Sequence, residues 1–393
     1  MSRFTFLLRL PVVLFVAHAY VALRLGVGLA GVDTSGVASW LILVLLVATY
    51  VLILAGFLMR RAETRPGGDL MAWAGFLAMG LFSWLFVLTV IRDVLLAAGY
   101  LVTSYSDTVV TTDRLHSFST ASAMAVPLLS LLAVVVGLVN ARRLARVVTV
   151  DIALPGLPSA LDGFTIVQIS DVHVGPTIKR RYVEAIVEAV NSQTPDVVVV
   201  TGDVVDGSVA LLGEHASPLG RLQARYGAYL VTGNHEYYSG AHQWITEFRR
   251  LGLTVLMNEH RVLRHQDIEL VLAGVTDFNA GQFDRSHASN PAAAMAGAPA
   301  QAAVRILLAH QPRTAAAAEA AGFDLQLSGH THGGQFWPWN FFVPLQQPYV
   351  AGLHRRGRLQ VYVSRGTGYW GPPMRIGARS EITRIRLRSE PVA

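Results

Sequence analysis

Four long apolar stretches in the first 146 residues constrain the fold more than any other feature of the sequence. They lie at about 4–27, 38–59, 71–97 and 118–139. A helix of about 20 apolar residues spans the hydrocarbon core of a bilayer, which is about 30 Å thick. The second and fourth stretches contain WLILVLLVATYVLILAGFLM and AMAVPLLSLLAVVVGLV, which carry no charge. The sequence therefore predicts an all-α transmembrane bundle of four helices within residues 1–146, with the lipid bilayer as a partner.

The placement of arginines predicts the orientation of this bundle. If the four spans alternate, seven arginines fall on one side: Arg3, Arg60, Arg61, Arg65, Arg142, Arg143 and Arg146. The opposite loops contain Asp33, Asp107, Asp113 and only one arginine, Arg114. Because cytoplasmic loops carry an excess of positive charge, we expect a multi-pass protein of the inner (plasma) membrane whose remaining chain faces the cytoplasm. Arg24 and Arg92 then fall near the outer helix ends, where their side chains should reach the headgroups.

Composition excludes several classes of function. The 393 residues contain no cysteine, which excludes disulfides, thiolate zinc sites and cysteine nucleophiles. The net charge of +6 does not indicate a nucleic-acid partner, because the basic residues are dispersed or adjacent to the apolar stretches and are not interleaved with base-stacking aromatics. Transport is disfavoured as well, since charges inside the apolar stretches are few and peripheral.

Residues 147–393 have the pattern of an α/β domain. Short runs rich in Val, Ile and Leu are typical of strands in a sheet that is covered on both faces. Five of these runs are followed by oxygen or imidazole side chains: FTIVQIS by Asp171 and His173, DVVVVT by Asp203, GAYLVT by Asn234 and His235, RILLA by His310, and DLQLS by His330 and His332. Ligands of α/β sheets bind outside the carboxyl ends of the strands. These side chains are therefore predicted to form one site.

The residue types in this set predict a metal centre. Carboxylates, imidazoles and one amide, without thiolate, suit divalent Mn, Fe, Zn or Co. The set is too large for one ion at four to six ligands each, and it fits two ions that share one carboxylate. Two metals about 3.5–4 Å apart can activate a water molecule and clamp both ends of an in-line displacement at phosphorus.

The ordered motifs resemble a known family. They are Asp171-Val-His173, Gly202-Asp203-Val-Val-Asp206, Gly233-Asn234-His235-Glu236, His310 and Gly329-His330-Thr331-His332. Over about residues 150–388 the chain resembles the calcineurin-like metallophosphoesterase superfamily. The sequences GHTHGGQ and RIGARSEI make it similar to bacterial membrane-associated members with N-terminal transmembrane helices. The resemblance implies a four-layer αββα sandwich of two mixed sheets.

The resemblance also implies a role for each residue of the site. One metal ion would be held by Asp171, His173, Asp203 and His332. The other would be held by Asp203, Asn234, His310 and His330, so that Asp203 bridges the two. His235 would act as general acid or stabilise charge at phosphorus, and Asp206 would orient a ligand. Glu236 stands where the family more often has Asp, a difference expected to matter little.

The implied activity is hydrolysis of a phosphoester or pyrophosphate bond by hydroxide bound to the metals. The membrane helices suggest a lipid-linked substrate, such as a nucleotide-diacylglucosamine pyrophosphate; soluble nucleotides and phospholipid or isoprenoid phosphates stay open. The alternative is a metal-binding membrane scaffold or sensor without catalysis, although a degenerate member would be expected to lack ligands and this sequence lacks none.

Two further segments and several histidines lie outside the motifs. The Ala-, Gly- and Pro-rich segment 280–303 is expected to be a flexible insertion near the site. The aromatic cluster in residues 336–342 packs locally or forms an apolar lip beside the site. His242 is the one remaining histidine that we consider as a substrate contact, whereas His215, His260, His265, His287 and His354 are expected to be ordinary surface or loop residues.

Overall fold

The computed structural model describes residues 3–29, 36–59, 67–105 and 111–389. The chain divides into two compact units, one formed by residues 1–139 with 371–374 and the other by residues 140–370 with 375–393. The smaller unit is helical and the larger is α/β. Several charges on which the predicted orientation rests lie outside the described residues, namely Arg60, Arg61, Arg65, Asp33 and Asp107.

The helical unit consists of α1 (Arg3–Leu29), α2 (Val37–Met59), α3 (Gly68–Tyr105) and α4 (Thr112–Arg142). All four are long and apolar enough to cross a membrane. Helices α3 and α4 extend beyond the stretches 71–97 and 118–139, because polar residues at their ends continue the helical hydrogen bonding. Asp69 and Asp113 lie in the first turns of these helices, where a carboxylate interacts favourably with the helix dipole.

Helices α2 and α3 approach each other closely at a pair of glycines. A Cβ atom added to Gly75 would lie 2.8 Å from the carbonyl oxygen of Leu52 and 2.9 Å from Cα of Gly56. Real Cβ atoms essentially never make contacts this short, so a larger residue would force the helices apart. Small residues commonly line contacts between transmembrane helices, where close backbone approach supplies the packing energy.

Arg92 does not reach out to lipid headgroups as predicted. Its side chain is buried, donates hydrogen bonds to Ser119 and Ser122 of α4, and lies 3.1 Å from the Asp93 carboxylate. Arg24 also binds Asp93, with its Nε atom 2.7 Å from Oδ2. The prediction for Arg92 was wrong because these partners satisfy the guanidinium inside the bundle, and none of them is recognisable from the charge pattern alone.

The larger unit contains two six-stranded mixed sheets. Sheet I has the order β1 (Arg146–Leu154), β12 (Glu381–Ser389), β2 (Thr165–Ile169), β3 (Val197–Val200), β4 (Ala228–Leu230) and β5 (Thr254–Val255). Sheet II has the order β10 (Gly352–Arg356), β11 (Leu359–Val363), β9 (Leu325–Ser328), β8 (Val304–Leu308), β7 (Ile268–Gly274) and β6 (Glu259–His265). Strands β2 to β5 are mutually parallel, as are β11, β9, β8 and β7.

The strands are almost continuously apolar because both of their faces are buried. Ile166 of β2 faces the core between the two sheets, whereas its neighbour Val167 faces the helices that cover sheet I. In sheet II, Leu272 and Val271 of β7 alternate in the same way. This period of two follows from the pleat of a strand.

Helices complete the outer layers. Sheet I is covered by α5 (Arg180–Asn191), α6 (Val209–Ala216), α7 (Asn234–Ser239) and α8 (Ala241–Arg250). Sheet II is covered by α9 (Pro291–Met295) and α10 (Ala315–Ala320). The predicted four-layer αββα sandwich is therefore confirmed.

The segment 280–303 is folded rather than a flexible insertion. It forms 3₁₀ turns at Ala280–Gln282 and Arg285–His287, followed by α9. Ala294 and Ala302 are buried in the core that covers sheet II. The alanine-rich composition was misleading because small side chains also allow a short helix to pack closely against a sheet.

Candidate metal centre

Five strand ends bring the predicted ligands together. In sheet I, the ligands follow three adjacent strands: Asp171 and His173 follow β2, Asp203 follows β3, and Asn234 follows β4 at the start of α7. In sheet II, they follow two adjacent strands: His310 follows β8, and His330 and His332 follow β9. The two sheets meet at the site, because the backbone N–H of His330 donates to both carboxylate oxygens of Asp171 at 3.0 Å.

The ligand atoms form two neighbouring groups. The first contains Asp171, His173 and His332, and the second contains Asp203, His310 and His330; within each group the ligand atoms lie within 4.8 Å of one another. In the first group, Nε2 of His332 is 3.1 Å from Nε2 of His173 and 3.5 Å from Oδ1 of Asp171. In the second, Nε2 of His310 is 3.1 Å from Nδ1 of His330.

Asp203 lies between the two groups. Its Oδ2 atom is 3.1 Å from Nε2 of His310 and 4.0 Å from Nε2 of His173. One carboxylate oxygen therefore faces an imidazole of each group. This is the position that a bridging ligand between two cations requires.

The orientation of His310 directs its Nε2 atom into the site. Its Nδ1 atom donates to the carbonyl oxygen of Thr201 at 2.7 Å, so Nε2 faces Asp203. Burial lowers the pKa of His310, but the Asp203 carboxylate outweighs this and raises it to about 10. A proton therefore occupies this position in the metal-free protein, and a metal ion would have to displace it, as is usual for metal sites.

The buried amide of Asn234 also fits a cation site. Its Oδ1 atom is buried and has no hydrogen-bond partner among the described residues. Leaving a buried acceptor unpaired costs about 1–3 kcal/mol, whereas a divalent cation accepts amide oxygen as a ligand. The donor set of carboxylate, imidazole and amide fits Mn, Fe, Zn or Co.

The ligand loops adopt an unusual backbone conformation. Five ligands have positive φ angles between 52° and 71°: Asp171, His173, Asp203, His330 and His332. This conformation costs about 1–2 kcal/mol for each residue that is not glycine. Such strain is concentrated at functional sites, where the surrounding structure maintains it.

Gly233 allows two of these loops to approach closely. A Cβ atom at Gly233 would lie 2.2 Å from Oδ1 of Asp203 and 2.5 Å from the Asp203 backbone nitrogen. Only a hydrogen atom fits at this point. Glycine at this position is therefore required for the close approach of the two backbones.

Asp206 positions two imidazoles. Its Oδ1 atom accepts from Nδ1 of His173 at 3.1 Å and from Nδ1 of His235 at 2.5 Å. For His173 this leaves Nε2 free to bind a cation, which agrees with the expected orienting role. Burial lowers the pKa of His235, but Asp203 and Asp206 outweigh this and raise it to about 9. In the metal-free protein, the His235 imidazole is consequently protonated on both nitrogens and positively charged at neutral pH.

Glu236 has a larger structural role than the sequence suggested. Its buried carboxylate accepts backbone N–H groups from Gly233 at 2.6 Å, Asp203 at 3.0 Å and Val204 at 2.7 Å. It therefore holds the Asp203 loop against the start of α7, and the expectation that this position matters little is not supported by the geometry. A sequence signal existed, because Glu three residues after a helix N-cap is half of a capping box.

Arg375, which lies in the RIGARSEI sequence, was also missed. Its guanidinium is buried and donates to the carbonyl oxygens of His332 and Arg365, both at 2.8 Å, and of Gly368 at 3.1 Å. Burial and the Arg375 guanidinium hold the pKa of His332 well below its ordinary value, so this imidazole is neutral and able to bind a cation. Most contacts of Arg375 are to backbone oxygens, which leave no trace in the sequence, and one is to Nδ1 of His332 at 3.1 Å.

Exposed aromatic side chains surround His235. The rings of Tyr238 and Trp370 lie 5.2 and 5.9 Å from the His235 ring, and both side chains are exposed. In the cluster 336–342, Phe336 is buried, whereas Trp339 and Phe341 are exposed. Burial of Phe336 therefore fits the interpretation of local packing.

Comparison with known proteins agrees with this site. The profile of the calcineurin-like phosphoesterase family matches residues 164–334. A "Transmembrane protein with metallophosphoesterase domain" from Danio rerio is 41% identical over 262 residues, which cover 65% of this chain and 60% of the relative. An uncharacterized metallophosphoesterase from Campylobacter jejuni is 37% identical over 253 residues, which cover 64% of this chain and 65% of the relative.

An uncharacterized metallophosphoesterase from Aquifex aeolicus is 33% identical over 236 residues, which cover 57% of this chain and 85% of the relative. The chain spans less than two thirds of the length of the first two relatives and most of the third. The matched segment of the family profile begins at β2 and ends with the last two predicted histidine ligands. With its αββα sandwich and its two facing ligand groups, this chain belongs to the calcineurin-like metallophosphoesterase family.

Proposed function

We propose that this protein is a membrane-anchored, metal-dependent phosphoesterase that hydrolyses a phosphoester or pyrophosphate bond. One observation carries the proposal: Asp203 faces an imidazole from each of two ligand groups. The narrower assignment, to bacterial membrane-associated members with N-terminal transmembrane helices, is part of the same proposal.

Two divalent ions, of Mn, Fe, Zn or Co, would be held by seven side chains. One ion would be held by Asp171, His173, Asp203 and His332, and the other by Asp203, Asn234, His310 and His330. When bound, such ions stabilise negative charge on phosphate oxygens and activate water for attack at phosphorus.

His235 would donate a proton to the leaving oxygen. In the metal-free protein it is protonated at neutral pH, because Asp203 and Asp206 raise its pKa to about 9 against the opposing effect of burial. Asp206 accepts from Nδ1, so the other nitrogen, Nε2, is the one able to act as general acid. Asp206 would be a positioning residue for both His235 and His173.

The experiment uses full-length protein in detergent, stripped of metal and then supplied with each divalent ion. Hydrolysis of a chromogenic phosphomonoester and phosphodiester is compared for wild type, Asp203→Asn and His354→Ala. His354 lies on β10, outside the site, and serves as the matched control. We expect metal-dependent turnover in wild type and His354→Ala only. A folded wild type that binds no metal, or that is as inert as Asp203→Asn with every ion, would refute the proposal.

We further propose that the substrate is lipid-linked. Gln335 exchanges hydrogen bonds with the backbone of Trp370, at 2.8 and 2.9 Å, and so joins the start of the aromatic segment to the residue beside His235. Phe341 and Phe342 of that segment are 66% and 53% exposed, which is unfavourable in water and suitable for contact with acyl chains. A nucleotide-diacylglucosamine pyrophosphate is the specific candidate.

Lipid-linked and soluble substrates can be separated with one pair of variants. Phe341→Ser and Phe342→Ser should raise KM for a nucleotide-diacylglucosamine in mixed micelles, without changing turnover of the chromogenic ester. Activity confined to soluble nucleotides, with the same KM in both variants, would exclude a lipid-linked substrate while leaving the phosphoesterase assignment intact.

We also propose that the protein lies in the inner (plasma) membrane with its α/β unit in the cytoplasm. Support comes from the arginines beside the apolar stretches, including Arg142, Arg143 and Arg146 after α4. Large apolar side chains such as Val12, Leu41 and Leu128 are more than 60% exposed in the helical unit, as expected for a surface in lipid. Fluorescent and alkaline phosphatase reporters fused after Ala393 test the orientation, and phosphatase activity without fluorescence would reverse it.

A further inference from the structure

A third group of metal-ligand side chains lies outside the centre described above. It consists of His242 at the start of α8, Asp284 immediately before the 3₁₀ turn Arg285–His287, and His287 at the end of that turn. One ligand atom from each residue lies within 4.8 Å of the others. The group belongs to none of the motifs that led to the phosphoesterase assignment, and the inference drawn from it does not depend on that assignment.

The distances within this group match a tetrahedral site. Nε2 of His242 is 3.0 Å from Oδ2 of Asp284, and Nε2 of His287 is 4.0 Å from the same oxygen. With zinc–ligand bonds of about 2.0–2.2 Å, neighbouring ligand atoms of a tetrahedron are separated by about 3.3–3.6 Å. The observed separations bracket this value, so small side-chain rotations would complete the geometry.

The outer contacts of Asp284 and His287 direct their ligand atoms into the group. Nδ1 of His287 lies 3.0 Å from the hydroxyl of Tyr237, so that Nε2 points towards Asp284. Oδ1 of Asp284 accepts from the backbone nitrogen and the hydroxyl of Ser286, at 2.9 and 2.6 Å, so that Oδ2 faces the two imidazoles. Metal-binding histidines and carboxylates commonly have such supporting partners, which fix the ligand orientation.

The group also has a route to solvent. A cleft of about 360 Å³ is lined by both histidines and by Thr246, Arg249 and Ser286. The His242 side chain is 67% exposed, whereas that of His287 is 15% exposed.

We propose that His242, Asp284 and His287 form a zinc site in which water supplies the fourth ligand. Two imidazoles and one carboxylate are ligands that Zn²⁺ accepts in tetrahedral geometry. Such an ion would tie α8 to the 3₁₀ turn. Through the contact of Tyr237 with His287 it would also support α7, whose first residues are Asn234 and His235.

The test measures bound zinc rather than activity. Metal-free, full-length protein in detergent is loaded with Zn²⁺, freed of excess ion by gel filtration, and analysed by mass spectrometry of the metal. Wild type is compared with His242→Ala, Asp284→Asn and the control His354→Ala. We expect wild type and His354→Ala to retain one more zinc per chain than His242→Ala and Asp284→Asn.

A second measurement separates this site from the catalytic centre. With Co²⁺, the strong visible absorption of a tetrahedral ion should be retained in Asp203→Asn and lost in His242→Ala. Because His242 is largely exposed, its replacement should not prevent folding. Equal zinc content in wild type and His242→Ala, or an equal loss in His354→Ala, would show adventitious binding only and overturn the proposal. If the phosphoesterase assignment were wrong, the wild type would show no turnover, whereas zinc binding by His242, Asp284 and His287 would be unchanged.

Discussion

Replacing Gly233 by Ala should damage the metal centre although it adds only one methyl group. The added Cβ atom would lie 2.2 Å from Oδ1 of Asp203 and 2.5 Å from its backbone nitrogen, whereas Cβ contacts under 3.0 Å are essentially never seen. The two ligand loops must therefore separate by about 0.5–0.8 Å. Part of that shift involves the backbone of Asp203, so a change of side-chain rotamer cannot absorb it.

The size of this shift sets the expected effect. Metal–ligand distances are tolerated to within about 0.2 Å, so we expect metal affinity to fall at least about tenfold. A misplacement approaching 1 Å in a catalytic group costs about 10²-fold in rate. Overpacking of this kind also destabilises a fold by about 1–3 kcal/mol.

A glycine elsewhere in the same unit provides a matched control. Gly213 lies within α6, and the atom nearest to a Cβ added there is 3.5 Å away. Because alanine is the better helix former, Gly213→Ala should be neutral or stabilise the unit by up to about 1 kcal/mol. The two substitutions add the same atoms and are expected to change stability in opposite directions.

The assays are thermal unfolding in detergent with chelator present, followed by titration of the metal-free protein with Mn²⁺ or Zn²⁺. Gly233→Ala should lower Tm and weaken metal binding, whereas Gly213→Ala should do neither. If Gly233→Ala bound metal with wild-type affinity and kept full turnover, the close approach of the Asp203 and Asn234 loops would not determine the geometry of the centre.

Four other substitutions test separate parts of the structure. His235→Ala should lower kcat by about 10²–10⁴-fold with unchanged metal content. The His235 pKa is about 9 in the folded, metal-free protein and about 6.5 when unfolded, so its stabilising contribution is present below pH 6.5 and is lost as pH rises through 9. The Tm of the metal-free wild type should decline accordingly over this range, and that of the variant should not. Glu236→Gln should destabilise by about 2–4 kcal/mol by leaving a buried N–H unpaired, against little change for Glu214→Gln, whose side chain is 82% exposed. Arg375→Met should destabilise by about 3 kcal/mol and reduce metal content, with partial recovery in Arg375→Lys; unchanged Tm and metal content would contradict its role in holding His332. Gly75→Ala should lower the Tm of the helical unit, whereas Gly26→Ala, where a Cβ meets no atom within 4 Å, should not.

The strands and the convergence of the predicted ligands could be foreseen because their signals are local. Strands buried on both faces require apolar residues at every position, as in VVVV of β3. The ligands follow at once, because the carboxyl ends of neighbouring strands meet at one edge of a sheet. The helical stretches were recognisable for a similar reason, since length and hydropathy suffice to identify them.

The missed features depend on partners that are distant in the sequence. Arg92 is satisfied by Ser119 and Ser122 of another helix, and neither serine is distinctive by itself. Arg375 binds carbonyl oxygens, which every residue possesses, so its contact with the His332 loop has no pattern to detect. Glu236 had a local signal as part of a capping box, but its contacts with Asp203 and Val204 require the fold to be known.

The unfavourable features of the larger unit gather where the cations would bind. Five of the ten non-glycine residues with positive φ in the described part of the chain are predicted ligands. The unpaired amide oxygen of Asn234 belongs to the same centre. Both features cost free energy in the folded chain, and a cation bound to the Asn234 oxygen would relieve the second. Because Glu236, Arg375 and Gly233 fix the backbone by contacts that involve no metal, the ligand atoms are held in place before any ion arrives. Loops that the chain holds at this cost, with the ligand atoms already gathered, are better explained by a preorganised metal centre than by chance convergence of polar side chains.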